Sequence, residues 1–163
     1  MSPGIFSEEW RKSIHVLMGG FALLLRYLPW WAAVLLAAAA VVSNATWIPR
    51  LGGGALMREN EKESLLRSGV WLYSFSILML LLIFPHRLEI VAGAWGILAL
   101  GDGLATLAGK GIGGPSLPWN SRKTWVGSAA FFGAGTLGGA AYWWWVASTT
   151  RASAPSFKQI LLI

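Results

Sequence analysis

Cysteine is absent from the chain, which excludes a disulfide framework, a thiolate nucleophile and a cysteine-ligated zinc site. Charge is scarce too: 12% of the 163 residues are Asp, Glu, Lys or Arg, against roughly 25% in an ordinary soluble domain. Aspartate occurs once, at Asp102. So little solvating surface, beside 55% hydrophobic residues and a mean hydropathy of +0.56, excludes an ordinary globular enzyme, an RNA-binding module and a disordered tail. What remains is the composition of an integral membrane protein. In that setting the net charge of +6 points to cytoplasmic loops, anionic lipid or phosphates, and no nucleic-acid partner is expected.

A spanning helix needs roughly 20 mostly apolar residues. Five stretches qualify: residues 13–28 (short, with His15 and Arg26 inside it), 30–48, 69–85, 89–108 and 124–148. Residues 156–163 read as the start of a sixth helix. The expected fold is therefore all-α, a polytopic helical bundle of about five transmembrane helices plus a partial sixth. It forms one domain over residues 1–163, with polar loops at about 49–68 and 109–123. The Trp30-Trp31 pair and the Trp143-Trp144-Trp145 run read as interfacial anchors. Asn44-Ala45-Thr46 matches a glycosylation sequon inside a span and is taken as chance. No removable signal peptide is expected, because the first apolar stretch carries charge and lacks a small-residue cleavage site.

Basic residues set the orientation. With five spans, Arg11, Lys12, Arg50, Arg58, Lys62, Arg67, Lys110, Arg122 and Lys123 share one side, and Arg26, Arg87, Arg151 and Lys158 share the other. The richer side, with the N-terminus and both polar loops, is expected to be cytoplasmic.

Asp102 lies in an apolar segment, where an ionised carboxylate at a helix centre costs about 2.5–3.5 kcal/mol and needs a cation, a partner or water. It is either a capping or salt-bridging acid or a functional one. Gly101 and Gly103 beside it let a ligand approach closely. The following loop, residues 109–124, holds Gly109, Lys110, Gly111, Gly113 and Gly114, then Arg122 and Lys123. Its glycines can turn amides toward an anion, and Ser121 or Thr124 then heads a helix whose N-terminus attracts phosphate. Two familiar motifs fail. Gly103 to Lys110 has one residue too many for a Walker A loop, and Gly109, Gly111 and Gly114 follow a membrane helix instead of a strand. In the second loop, Arg58, Glu59 and Glu63 belong either to a solvated helix or, with Arg58 and one glutamate, to the same site. Arg11 and His15 fall four apart on one helix face. Gly133, Gly135, Gly138 and Gly139 suit close helix packing and carry no assigned chemistry.

Gly101-Asp102-Gly103-Leu104-Ala105, Gly109-Lys110, Leu117-Pro118-Trp119-Asn120 and Arg122-Lys123-Thr124-Trp125-Val126-Gly127-Ser128 together resemble the signature of the phytol kinase and dolichol kinase family. The run ending Gly127-Ser128 is nearer the phytol/farnesol branch, and Arg11-Lys12-Ser13-Ile14-His15 is similar to the family's opening. The resemblance implies a membrane kinase that uses Mg²⁺ or another divalent cation and CTP to phosphorylate an isoprenoid alcohol, such as phytol, farnesol or another polyprenol; relatives also act on diacylglycerol. It implies catalytic roles for Asp102, Lys123 and His15, with Asp102 also the metal ligand. Nucleotide contacts would come from Gly101, Gly103, Gly109, Lys110, Asn120, Arg122, Thr124, Gly127 and Ser128, with Arg11, Lys12, Arg58, Glu59 and Glu63 as further candidates. Its expected partners are the bilayer, the nucleotide and the lipid alcohol. The family's later acidic segment has no match after Arg151, which implies a C-terminally shortened or minimal homologue. Two alternatives stay open: a phosphatidate cytidylyltransferase-like enzyme, and a non-enzymatic transporter or assembly subunit.

Overall fold

A computed structural model of the chain describes residues 15–47 and 69–150. Arg11, Lys12, Arg58, Glu59, Glu63 and the segment 156–163 lie outside them. Among the described residues the chain is mostly helical, and each helix falls on an apolar stretch of the sequence. We number them α1 (His15–Arg26), α2 (Trp30–Thr46), α3 (Gly69–Ile83), α4 (Leu88–Gly111) and α5 (Trp125–Thr150). A two-stranded ribbon, β1 (Ser116–Leu117) and β2 (Asn120–Thr124), joins α4 to α5. Among the described residues α4 is the one helix both long and apolar enough to cross a membrane. It stops where Gly113 and Gly114 take positive φ, +73° and +114°, a backbone region that glycine enters without steric cost.

The helices form two compact units. In one, α2 and α3 run antiparallel and are tied at both ends. The Trp30 indole donates to the Leu81 carbonyl (2.7 Å), and the Asn44 amide donates to Ser74 Oγ (3.0 Å) and the Val70 carbonyl (3.4 Å). Ala33, Ile77 and Leu81 are buried there, and the buried Ser74 is fully hydrogen-bonded. Bonds of this type between helices hold where no water competes. The sequon asparagine thus has a packing role.

The other unit holds α1, α4, the ribbon and α5. Antiparallel α4 and α5 meet backbone to backbone along small residues. A Cβ on Gly96 would lie 2.9 Å from the Gly138 carbonyl, and one on Gly101 would lie 3.2 Å from Gly135 Cα. Larger residues would hold the axes apart. Gly135, Gly138 and Gly139 line this seam, whereas Gly133 points into open space. On another side of α4, Gly19 and Val16 of α1 pack against Ala99 and Gly103. At the far end, Trp145 Nε1 donates to the Leu23 carbonyl (3.2 Å). Arg26 donates to the Trp145 carbonyl (2.9 Å) and Ser148 Oγ (2.8 Å), with its guanidinium 4.2 Å from the Trp145 ring centroid. A cation at the end of α5 suits the helix dipole. These contacts make α1 parallel to α5. They also give Trp145 an internal partner, while Trp31 stays exposed.

Candidate active site

The second half of α4 opens with a π-helical turn, Ile97–Gly101. Such a turn interrupts the regular hydrogen-bond ladder and recurs at functional sites. Its Leu98 carbonyl accepts a hydrogen bond from His15 Nε2 at 3.2 Å, so that nitrogen carries the proton. The same nitrogen lies 4.0 Å from Asp102 Oδ2, an ion-pair distance, with the two side chains 22% and 36% exposed. Asp102 is the first residue beyond the π turn, and its main-chain carbonyl accepts from Thr106 Oγ1 at 3.0 Å. The sole aspartate is therefore half-buried beside an imidazole donor, with one edge open to solvent.

Helical geometry carries the site onward. At about 100° per residue, Gly109 returns to the Asp102 face of α4, roughly 10 Å further along the axis. There α4, β2 and α5 converge. A Cβ on Gly109 would stand 3.0 Å from Thr124 Oγ1 and 3.4 Å from Gly127 Cα, and one on Gly127 would stand 2.9 Å from the Ala105 carbonyl. Thr124 caps α5: its hydroxyl accepts from the Gly127 amide (3.1 Å), and its carbonyl accepts from Ser128 Oγ (3.2 Å). The Trp125 amide donates to the Pro115 carbonyl (3.1 Å). The start of α5 is thus a capped anchor, with these amides already engaged inside the protein.

The basic pair sits on an irregular hairpin. Leu117 pairs with Asn120 across a two-residue turn, but the next partner of Ser116 is Thr124. Ser121, Arg122 and Lys123 are therefore extruded as a bulge. Bulged residues leave the ladder and re-aim their side chains, and they recur beside active sites. Asn120 Oδ1 accepts from the Arg122 amide (3.1 Å) and steadies the bulge. Asn120, Ser121, Arg122 and Lys123 are all exposed. Lys110, also exposed, occupies the last turn of α4, roughly 12 Å along the axis from Asp102.

Among the residues expected from sequence, the structure brings together His15 with Asp102, Gly109 with Thr124 and Gly127, and Arg122 with Asn120. Gly101 and Gly103 are packing positions against α5 and α1. Asp102 and Lys110 are separated along α4 by more than one small anion spans. Among the described residues no three His, Cys, Asp or Glu side chains cluster. A single carboxylate suits Mg²⁺, which is commonly held by one or two carboxylates together with phosphate oxygens and water. An apolar groove of about 490 Å³, lined by Leu100, Leu104, Leu107, Ala130, Ala134 and Leu137, also runs between α4 and α5. Leu104 and Leu107 lie about 200° and 140° around α4 from Asp102, so the groove opens on the opposite face from the carboxylate. The π turn, the bulge and this groove have no signal in the sequence beyond the glycines around Asp102.

Fold and site together define a helical protein with a half-buried acid–imidazole pair set in line with an exposed basic hairpin. No family model and no solved structure matches the chain. Curated proteins do. A probable chloroplastic phytol kinase of Triticum aestivum is 31% identical over 143 residues, covering 78% of this chain and 46% of that protein. A probable phytol kinase 2 of Glycine max is 31% identical over 129 residues, covering 78% and 43%. Phytol kinase 1 of Arabidopsis thaliana is 31% identical over 78 residues, covering 48% and 25%. These similarities support a phytol kinase-like family relationship, and the chain spans less than half the length of these relatives.

Proposed function

We propose that the chain transfers the γ-phosphoryl group of a nucleoside triphosphate, CTP, to the hydroxyl of a membrane-dissolved prenyl alcohol of the phytol class. The observation that carries this reading is the line from the His15–Asp102 pair through Gly109 and Thr124 to the Arg122–Lys123 bulge. Its length matches a polyphosphate better than a single anion. Phosphoryl transfer needs positioning and charge neutralisation more than covalent help from the protein. Bound Mg²⁺ would supply neutralisation between phosphate oxygens, with Asp102 as its protein ligand. His15 holds the carboxylate in place, and Lys110, Arg122 and Lys123 take the remaining phosphate charge. The alcohol's hydroxyl would lie at the depth of Asp102, whose carboxylate is also the nearby acceptor for its proton.

In this reading the helices cross a bilayer as a polytopic bundle. Parallel α1 and α5 with antiparallel α4 fit alternating passes. That arrangement puts His15, residues 109–123 and the larger basic count on the cytoplasmic side. The test is a transfer assay on the full chain in lipid nanodiscs, with γ-labelled CTP or ATP against phytol, farnesol, a longer polyprenol and diacylglycerol. Labelled phytyl phosphate with release of CDP is expected. Release of pyrophosphate would establish a cytidylyltransferase, and no transfer to any alcohol would end the kinase reading.

A further inference from the structure

The nucleotide reading accounts for the acid and the cations but leaves one feature of the hairpin unused. Trp119, at the tip, is 74% exposed, although an indole is among the largest apolar side chains a protein can bury. It stands on a short ribbon whose other residues, apart from Leu117 and Pro118, are polar. Two features hold it in place. Pro118 before it fixes one backbone angle of the two-residue turn, and the Trp125 ring meets it edge to face, with centroids 5.9 Å apart and planes at 79°.

The bulge explains this contact. Six positions separate Trp119 from Trp125, a distance a regular strand would stretch to about 20 Å. Because Ser121, Arg122 and Lys123 are extruded, Asn120 and Thr124 pair with neighbouring residues of β1, and the two indoles close the neck of the basic loop. An ordered, solvent-facing aromatic plane therefore stands beside two exposed cations, and the cations lie in line with Gly109 and Asp102.

Resting on the nucleotide reading above, we propose that Trp119 is the platform on which the base of the nucleotide stacks. The phosphates then cross the Arg122–Lys123 bulge and point their γ end along α4 toward Asp102. Stacking on an aromatic face contributes about 1–3 kcal/mol per base and is tolerant of base identity. Trp119 thus adds affinity for any nucleoside triphosphate over bare triphosphate, without by itself choosing cytosine.

The experiment measures binding of CTP, ATP and inorganic tripolyphosphate to the full chain and to its Trp119→Ala and Trp119→Phe variants in phosphatidylglycerol nanodiscs, together with quenching of tryptophan fluorescence by brominated lipid. Trp119→Ala should weaken CTP and ATP binding roughly five- to 150-fold while leaving tripolyphosphate binding unchanged. Trp119→Phe should restore most of the loss. Unchanged CTP affinity in Trp119→Ala overturns the proposal, and a loss of lipid quenching alone would make Trp119 a membrane anchor instead. Equal weakening of CTP and tripolyphosphate also overturns it, by showing that the ring only supports the hairpin. Wild-type protein that transfers phosphate while Trp119→Ala binds CTP normally would sink the platform and leave the kinase; Trp119-dependent CTP binding without transfer would do the reverse.

Discussion

A lone carboxylate in an apolar helix must have its charge compensated, and at Asp102 an imidazole supplies part of that compensation. The protonated Nε2 of His15 lies 4.0 Å away while also bonding the Leu98 carbonyl. The two side chains stay 22% and 36% exposed. In the proposed kinase His15 is a positioning residue. His15→Ala should lower the rate of phosphoryl transfer about 10- to 100-fold, the usual effect of removing a group that orients a ligating side chain, with CTP affinity changed less than about twofold, the size of a few tenths of a kcal/mol. Single-turnover rates and equilibrium binding on the same variant check this, and lost CTP affinity with an intact rate would contradict it. Asp102 was legible in the sequence because an acid within an apolar run is costly anywhere else. Its partnership with His15 was not legible, since the two are brought together by α1 packing on α4.

Helix placement followed from hydrophobic runs, and close packing on α5 from its glycine spacing, because both depend on neighbours within a few turns; that the partner is α4 was not legible. The seam gives a sharp contrast. Gly96 faces the Gly138 carbonyl and Tyr142, whereas Gly133 has nothing within 4 Å of the position its Cβ would take. Gly96→Leu should destabilise the protein by about 1–3 kcal/mol through overpacking. Gly133→Ala should be neutral or stabilising, by up to about 1 kcal/mol of helix propensity. Melting in detergent measures both, and equal effects would show that α4 and α5 do not meet as described. The loop between them was not legible in the same way. Read from sequence, residues 109–124 form a glycine-rich cradle ending on open helix amides. In the structure, Gly113 and Gly114 turn the chain into a hairpin, Thr124 caps α5, and the cations reach solvent on a bulge. Two paired residues and a three-residue extrusion leave no period for a sequence pattern to display.

At the scale of the whole molecule, the described helices form two compact units, and the candidate site lies within the one that contains α1, α4 and α5. This unit holds its ends differently: imidazole and carboxylate at one, and the Arg26–Trp145–Ser148 clamp at the other. The ribbon stands at the first end, and the second also carries the partly exposed Arg87–Glu89 pair at the start of α4. In the proposed kinase Asp102 serves phosphoryl transfer and not the stability of this unit. The most direct measurement compares Asp102→Asn with the wild type in one full-chain preparation, recording γ-phosphoryl transfer from CTP to phytol alongside detergent melting. Asparagine keeps the shape and removes the charge. Transfer should fall by roughly 100-fold or more, with a melting temperature equal to or above that of the wild type, because an amide is less costly in apolar surroundings than a carboxylate. An Asp102→Asn protein that still transfers phosphate at the wild-type rate would contradict the account.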